Sequence, residues 1–184
     1  MREGSAGGGK GLGSVKSVKA SVIVASSAAK PITQISTESV ASRSTKVAEF
    51  DRVLGGGLVP GAVVLLSGEP GVGKSTLLLE VAAKTAQTGA KVLYVSGEES
   101  VGQIRLRAER TGALSDNLYL ASETDLANVL GQVESVKPEL LVVDSVQTIA
   151  HAEIDGAAGM PSQIREVATN LIRLAKENNL PVIL

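Results

Sequence analysis

The residues Gly68-Glu69-Pro70-Gly71-Val72-Gly73-Lys74-Ser75, followed by Thr76, have the spacing G-x-x-x-x-G-K-S/T. In such a run the backbone can wrap an anion with its N–H groups pointing inward, where a Cβ would obstruct it. A helix opening at Ser75 would add the partial positive charge of its N-terminus. The pattern places the Lys74 ammonium on the β- and γ-phosphates of a nucleotide, the Ser75 hydroxyl on Mg²⁺ and Thr76 beside the α-phosphate. The plain alternative is a Gly-rich turn that matches by accident, which a preceding strand and a following helix argue against.

Two further carboxylate positions could serve the same chemistry. Asp144 ends the apolar run Leu140-Leu141-Val142-Val143, and an acid there would hold the Mg²⁺ shell, partly through water. Alone, it reads equally well as a strand-end Asp capping a turn. Glu98 and Glu99 follow the run Lys91–Ser96 and Gly97. A carboxylate at that point could orient and deprotonate the water attacking a γ-phosphate, with Glu98 the first candidate. The competing reading is a pair of acids at a helix start, favoured by the macrodipole.

These groups can meet only if the chain brings them to one edge. Ala62–Ser67 is an apolar run between glycines and reads as a buried strand. Residues 75–88 follow as a helix, with Leu77, Leu78, Val81, Ala82 and Thr85 at helical spacing and Gly89 as the stop. The pattern predicts further strands at Lys91–Ser96, Leu118–Ala121 and Leu140–Asp144. It predicts helices at Val101–Arg110, Asp125–Val136 and Ser162–Asn178, the last capped by Ser162. Strands alternating with helices imply right-handed crossovers and a mostly parallel α/β sheet. In such sheets ligands bind at the carboxyl edge, and each candidate residue stands just after a strand.

Composition agrees with that architecture. The chain has 184 residues, 43% hydrophobic, and its aromatic residues are Phe50, Tyr94 and Tyr119 alone, so its core must be aliphatic. With no cysteine, a disulfide scaffold, a Cys-based zinc site and a thiol nucleophile are excluded for this stretch. No apolar run approaches the ~18 residues of a membrane span, and no signal-like apolar segment follows Met1-Arg2, so the expected setting is cytoplasmic. Net charge is −1, with no global attraction to nucleic acid. Residues 1–45 hold six Lys and Arg against two acids. Residues 1–30, rich in Gly, Ser and Lys, read as a flexible basic tail, and residues 31–184 as the folded part.

Weaker features complete the reading. Gly55-Gly56-Gly57 would let the chain turn closely under the nucleotide edge, or is a simple turn. The segment Ser145–Pro161 is longer than a usual loop and reads as mobile and functional. His151 within it reads as a surface or hydrogen-bonding residue. Arg105, Arg107 and Arg110 cluster on one helix, read as a solvated face ahead of a phosphate or DNA contact.

Beyond these residues, the chain resembles the bacterial RadA/Sms DNA-repair ATPases of the RecA superfamily. The resemblance rests on Glu49-Phe-Asp-Arg-Val-Leu-Gly-Gly-Gly-Leu-Val-Pro-Gly61, on Gly68 through Leu79, on Tyr94-Val-Ser-Gly-Glu-Glu-Ser100, on Val143-Asp-Ser-Val-Gln-Thr148 and on Gln163-Ile-Arg-Glu-Val167. It implies a RecA-like P-loop NTPase fold and an ATP- and Mg²⁺-dependent, DNA-stimulated motor. That motor would act on single-stranded or branched recombination intermediates, including branch migration, as a homo-oligomeric ring and away from membranes. By position, Glu98 matches the family's water-activating glutamate, Lys74 and Ser75 its phosphate and Mg²⁺ contacts, and Asp144 its Walker B acid. The segment after Asp144 corresponds to a DNA-facing loop in RecA relatives, but it holds no Lys or Arg between Ser145 and Ser162.

The family usually begins with a four-cysteine zinc module and continues into a Lys-Asn-Arg-Phe-Gly motif and a Lon-like domain. This chain stops at Pro181-Val-Ile-Leu184, inside what reads as a new buried strand, and the expectation is a partial ATPase domain truncated at its C-terminus. Two other readings stand beside repair. One is a regulatory ATPase similar to the circadian clock protein KaiC; the other is a non-catalytic nucleotide-binding module.

Overall fold

Alternation along each strand divides the core into two layers. In the computed structural model, which describes residues 29–35 and 41–184, Val92, Tyr94, Leu140, Val142 and Ile183 pack on one face of a sheet. Leu93, Val95, Leu141, Val143, Val182 and Leu184 pack on the other. Strands buried on both faces read as continuous apolar runs, and that is why Leu140–Val143 lacks polar alternation.

The elements follow one another as α1 (Ala48–Val53), β1 (Val63–Val64), α2 (Lys74–Gln87), β2 (Val92–Ser96), α3 (Val101–Thr111) and β3 (Leu118–Ser122), then α4 (Leu126–Val136), β4 (Leu140–Asp144), α5 (Pro161–Asn178) and β5 (Val182–Ile183). The five strands run parallel in the order β1-β5-β4-β2-β3. Helices α1, α2 and α3 contribute to the first layer, and α4 and α5 to the second. This is a parallel α/β P-loop NTPase fold of RecA-like type, as expected.

Strand β5 sits between β1 and β4, pairing Val182 with both Val63 and Leu141. The C-terminal apolar run therefore spaces the phosphate-loop strand from the Asp144 strand. Val182 and Ile183 are fully buried, and burying side chains of this size stabilises by roughly 1.5–3 kcal/mol each.

Several boundaries differ from the pattern. The first strand is two residues long and only half-buried, with Leu65 exposed, because β1 lies at a sheet edge with a single neighbour. Helix α2 begins one residue early, at Lys74. Ser162 is not the cap of α5: Met160 holds that position without a side-chain hydrogen bond, and Pro161, whose missing N–H costs nothing there, opens the helix. Helix α1 had no counterpart in the sequence reading. Asp51 on it anchors the preceding segment, accepting from the Thr45 N–H and hydroxyl and from the Ser44 hydroxyl.

The segment expected to be mobile is tied down. It carries a 3-10 turn at Val146–Thr148, and Ala150 bridges to Asp125. The buried Gln163 amide accepts from His151 N–H and donates to the carbonyls of Ile154 and Gly156. His151 is half-buried, and its Nδ1 accepts from Glu153 N–H.

Residues 37–184 form one compact unit, and residues 1–36 are assigned to another. Of the second, the described part holds an exposed 3-10 turn at Ile32–Gln34. The flexible tail expected over residues 1–30 lies outside the described residues except for its last two.

Candidate functional site at the carboxyl edge of the sheet

The loop between β1 and α2 wraps back on itself through its lysine. Lys74 Nζ donates to the carbonyls of Gly68 and Glu69, each at 2.8 Å. Gly71 and Gly73 hold φ of 80° and 97°, a conformation that resists side chains, and open space lies where a Cβ would stand. The result is a turn whose concave side is backbone, feeding directly into the N-terminus of α2.

That turn forms one wall of a cavity of about 830 Å³. Gly68, Pro70, Gly71, Gly73, Lys74, Ser75 and Thr76 line it, and so do Glu98, Glu99 and Asp144 from the ends of β2 and β4. Glu69 and Val72, counted with the loop in the sequence reading, do not line it. Glu69 contributes its carbonyl to Lys74, and the Val72 side chain points to solvent at 62% exposure. Gly55–Gly57 are likewise outside the cavity walls. There Gly57 serves packing: a Cβ on it would run into the backbone of Arg43, with which Leu58 pairs.

Strand register fixes the acids. Ser96 is paired with Asp144, and the same alternation puts both on the α2 side of the sheet with Tyr94 and Val142. Asp144 is buried, and its Oδ2 accepts from the Tyr94 hydroxyl at 2.6 Å. Burial, then this hydrogen bond and the charge of Asp144, push the Tyr94 phenol far above its ordinary value. Tyr94 therefore remains a protonated donor throughout the neutral range.

Glu98 and Glu99 stand before α3, and they do not cap it. Ser100 and Gln103 form a reciprocal capping box instead. The Ser96 hydroxyl accepts from the N–H groups of both glutamates, at 3.2 and 2.9 Å, and so sets the turn that presents them. Their carboxylates part company. Glu98 is exposed and accepts from the Ser145 hydroxyl at 3.0 Å; Glu99 is paired with Arg107 at 2.5 Å. Neither glutamate caps the helix, although both directly precede it, and the two carboxylates have different partners.

The turn also interlocks with the chain after β4. Gly97 N–H donates to the Asp144 carbonyl, and Thr148 packs directly over the Gly97 Cα. Of the three arginines read as a solvated face, Arg105 is one, paired with Glu109 on the surface. Arg107 is not: it turns into the cavity wall. Its position one turn after the buried Ile104 was a signal for that inward face. Tyr94, Ser96 and Ser145 were missed as site residues; only a hydroxyl within two residues of a strand end marked them.

These groups fit a magnesium-bound triphosphate. The loop offers an open backbone cradle and an ammonium whose present acceptors are neutral carbonyls. Ser75 and Asp144 offer oxygen donors suited to a hard cation.

A family model described as an AAA domain matches residues 29–184. The chain is 56% identical over 154 residues to the DNA repair protein RadA of Mycolicibacterium smegmatis, covering 84% of this chain and 33% of that protein. Against the DNA repair protein RadA of Listeria monocytogenes it is 49% identical over 158 residues, 86% of this chain and 35% of the relative. Against that of Streptococcus pneumoniae it is 45% identical over 170 residues, 92% and 40% respectively. The chain thus spans roughly a third of the length of these curated relatives.

Proposed function

The chain belongs to the AAA domain family and is RadA-like over most of its length, and from that premise we propose that it binds ATP with Mg²⁺ and hydrolyses it as the nucleotide-binding part of a DNA repair ATPase. One observation carries the reading: Lys74, Ser75, Asp144 and Glu98 come from three separate segments of the chain and line one cavity at the carboxyl edge of a parallel sheet.

The roles follow from chemistry and placement. Lys74 exchanges its two carbonyl acceptors for phosphate oxygens and offsets their charge. The loop N–H groups, with Gly68, Glu69, Pro70, Gly71, Val72 and Gly73 as backbone and Thr76 beside them, hold the phosphate chain. The Ser75 hydroxyl and the Asp144 carboxylate, the latter partly through water, would hold Mg²⁺. Bound there, the cation supplies charge neutralisation at the transferring phosphoryl group. Tyr94, through its hydroxyl, aims the Asp144 carboxylate. Glu98, oriented by the Ser145 hydroxyl, accepts the proton of the attacking water. Glu99 is already held by Arg107 and is not aimed by Ser145.

The whole-protein functions are part of the same proposal. They are DNA-dependent turnover in the cytoplasm on single-stranded or branched recombination intermediates, branch migration and a homo-oligomeric ring, with residues 31–184 as the ATPase part. They rest on the sequence blocks around Gly55–Gly57 and Ser96–Ser100 and on relatives named as DNA repair proteins. Phosphate release with and without single-stranded DNA, measured for the wild type and Glu98→Gln in the full-length protein, tests the reading. Retained ATP binding with turnover lost in the variant is expected. Equal turnover in both removes Glu98 from its role, and no stimulation by DNA removes the repair motor.

A further inference from the structure

Arg107 is a buried cation with unfinished hydrogen bonding. Its Nη1 donates to Glu99 Oε1, and its side chain is only 18% exposed. Its Nε and Nη2 are buried, and neither has a partner among the described residues. A guanidinium remains charged at any working pH, so this shortfall cannot be relieved by losing a proton. Burying donors of a charged group without acceptors is costly, and the group best suited to complete a guanidinium fork is a phosphate or carboxylate.

The cavity carboxylates are already engaged. Glu99 holds Arg107 itself, Asp144 accepts from Tyr94 and Glu98 accepts from Ser145. Arg107 lines the same cavity as Lys74 and Ser75, and its partner Glu99 follows the end of β2. On the nucleotide reading, that is the end where the attacking water and the terminal phosphate meet. Lys74 and the glycine loop belong to the β1–α2 connection and Arg107 to the helix after β2, so on that reading a second cation beside Glu99 would feel mainly the terminal group.

We propose, on the premise that the cavity takes a nucleotide, that Arg107 contacts the terminal phosphate and makes the site prefer a triphosphate to a diphosphate. Its pair with Glu99 stores the side chain at the wall before the nucleotide arrives. Glutamate 99 thereby competes with the phosphate for one guanidinium. That competition separates this role from a purely structural ion pair, because removing either partner of a structural pair has the same effect.

The test is equilibrium binding of ATP and ADP, each with Mg²⁺, to the 184-residue chain and to Arg107→Gln, Arg107→Lys and Glu99→Gln, with a melting curve for each variant. Arg107→Gln is expected to lower ATP affinity about tenfold while ADP affinity changes much less. Arg107→Lys should fall between, since an ammonium keeps the charge and loses the fork. Glu99→Gln should hold or tighten ATP binding. Equal losses for ATP and ADP, or parallel losses in Glu99→Gln and Arg107→Gln, overturn the proposal. Should Arg107→Gln not fold, Arg107→Lys and Glu99→Gln decide by the same comparison. A wild type that binds neither nucleotide overturns both this proposal and the reading beneath it, whereas a binding wild type with an indifferent Arg107 overturns this one alone.

Discussion

The Tyr94 hydroxyl reaches diagonally across two adjacent strands to donate to Asp144 Oδ2 at 2.6 Å, although register pairs Tyr94 with Val142. A phenol long enough to span that diagonal is what lets a strand-end carboxylate be buried and still have a donor. Replacing it with Phe keeps the ring in the core and leaves one Asp144 oxygen without its partner. Tyr94→Phe should lose about 1–3 kcal/mol of stability in urea unfolding, with an unchanged slope and a higher Mg²⁺ concentration needed for nucleotide binding. An unaltered midpoint would show that the bond contributes nothing.

Asp51 ties the chain before β1 to α1. Burial works against its charge, but hydrogen bonds from the Thr45 N–H, the Thr45 hydroxyl and the Ser44 hydroxyl outweigh it and hold the carboxyl below its ordinary 3.8. A carboxyl depressed by folding stabilises the native state above its unfolded value, and that stability is lost as pH falls through the folded one. Asp51→Asn should therefore lower the melting temperature at pH 7, and the gap to the wild type should close as pH falls below about 4. A gap that widens on acidification has the wrong sign.

Gly97 has ordinary backbone angles yet no room. A Cβ there would overlap the Thr148 hydroxyl and lie 2.7 Å from Thr148 Cβ. Gly97→Ala should cost about 1–3 kcal/mol and displace the glutamates that follow, so nucleotide turnover should fall as well. Combining it with Thr148→Gly should recover part of the stability. A strictly additive double variant would show that the two residues do not collide.

The legible part of this molecule was the part written in periodic patterns. Alternation of apolar strands with helices foretold the parallel sheet, and the glycine-lysine run foretold a loop leading into a helix. Pattern failed where length and edge position decide: β1 is short because it has one neighbour, which no property of Ala62–Ser67 reveals. It also failed for polar contacts between segments far apart in sequence. Gln163 organises the chain from His151 to Gly156, and Ser145 holds Glu98, yet both are ordinary polar residues until the fold is closed. Arg107 was misjudged because three arginines on one helix suggest solvent, while the inward spacing after Ile104 argued otherwise.

The central claim is that one sheet edge gathers an ammonium, a hydroxyl and two carboxylates around the phosphates of ATP. Titrating ATP with Mg²⁺ against the wild type and Lys74→Ala measures it most directly, because this ammonium has only neutral carbonyl partners among the described residues. The account predicts saturable, Mg²⁺-dependent binding by the wild type and a loss of at least about a hundredfold in the variant. Equal binding by the two proteins would contradict it.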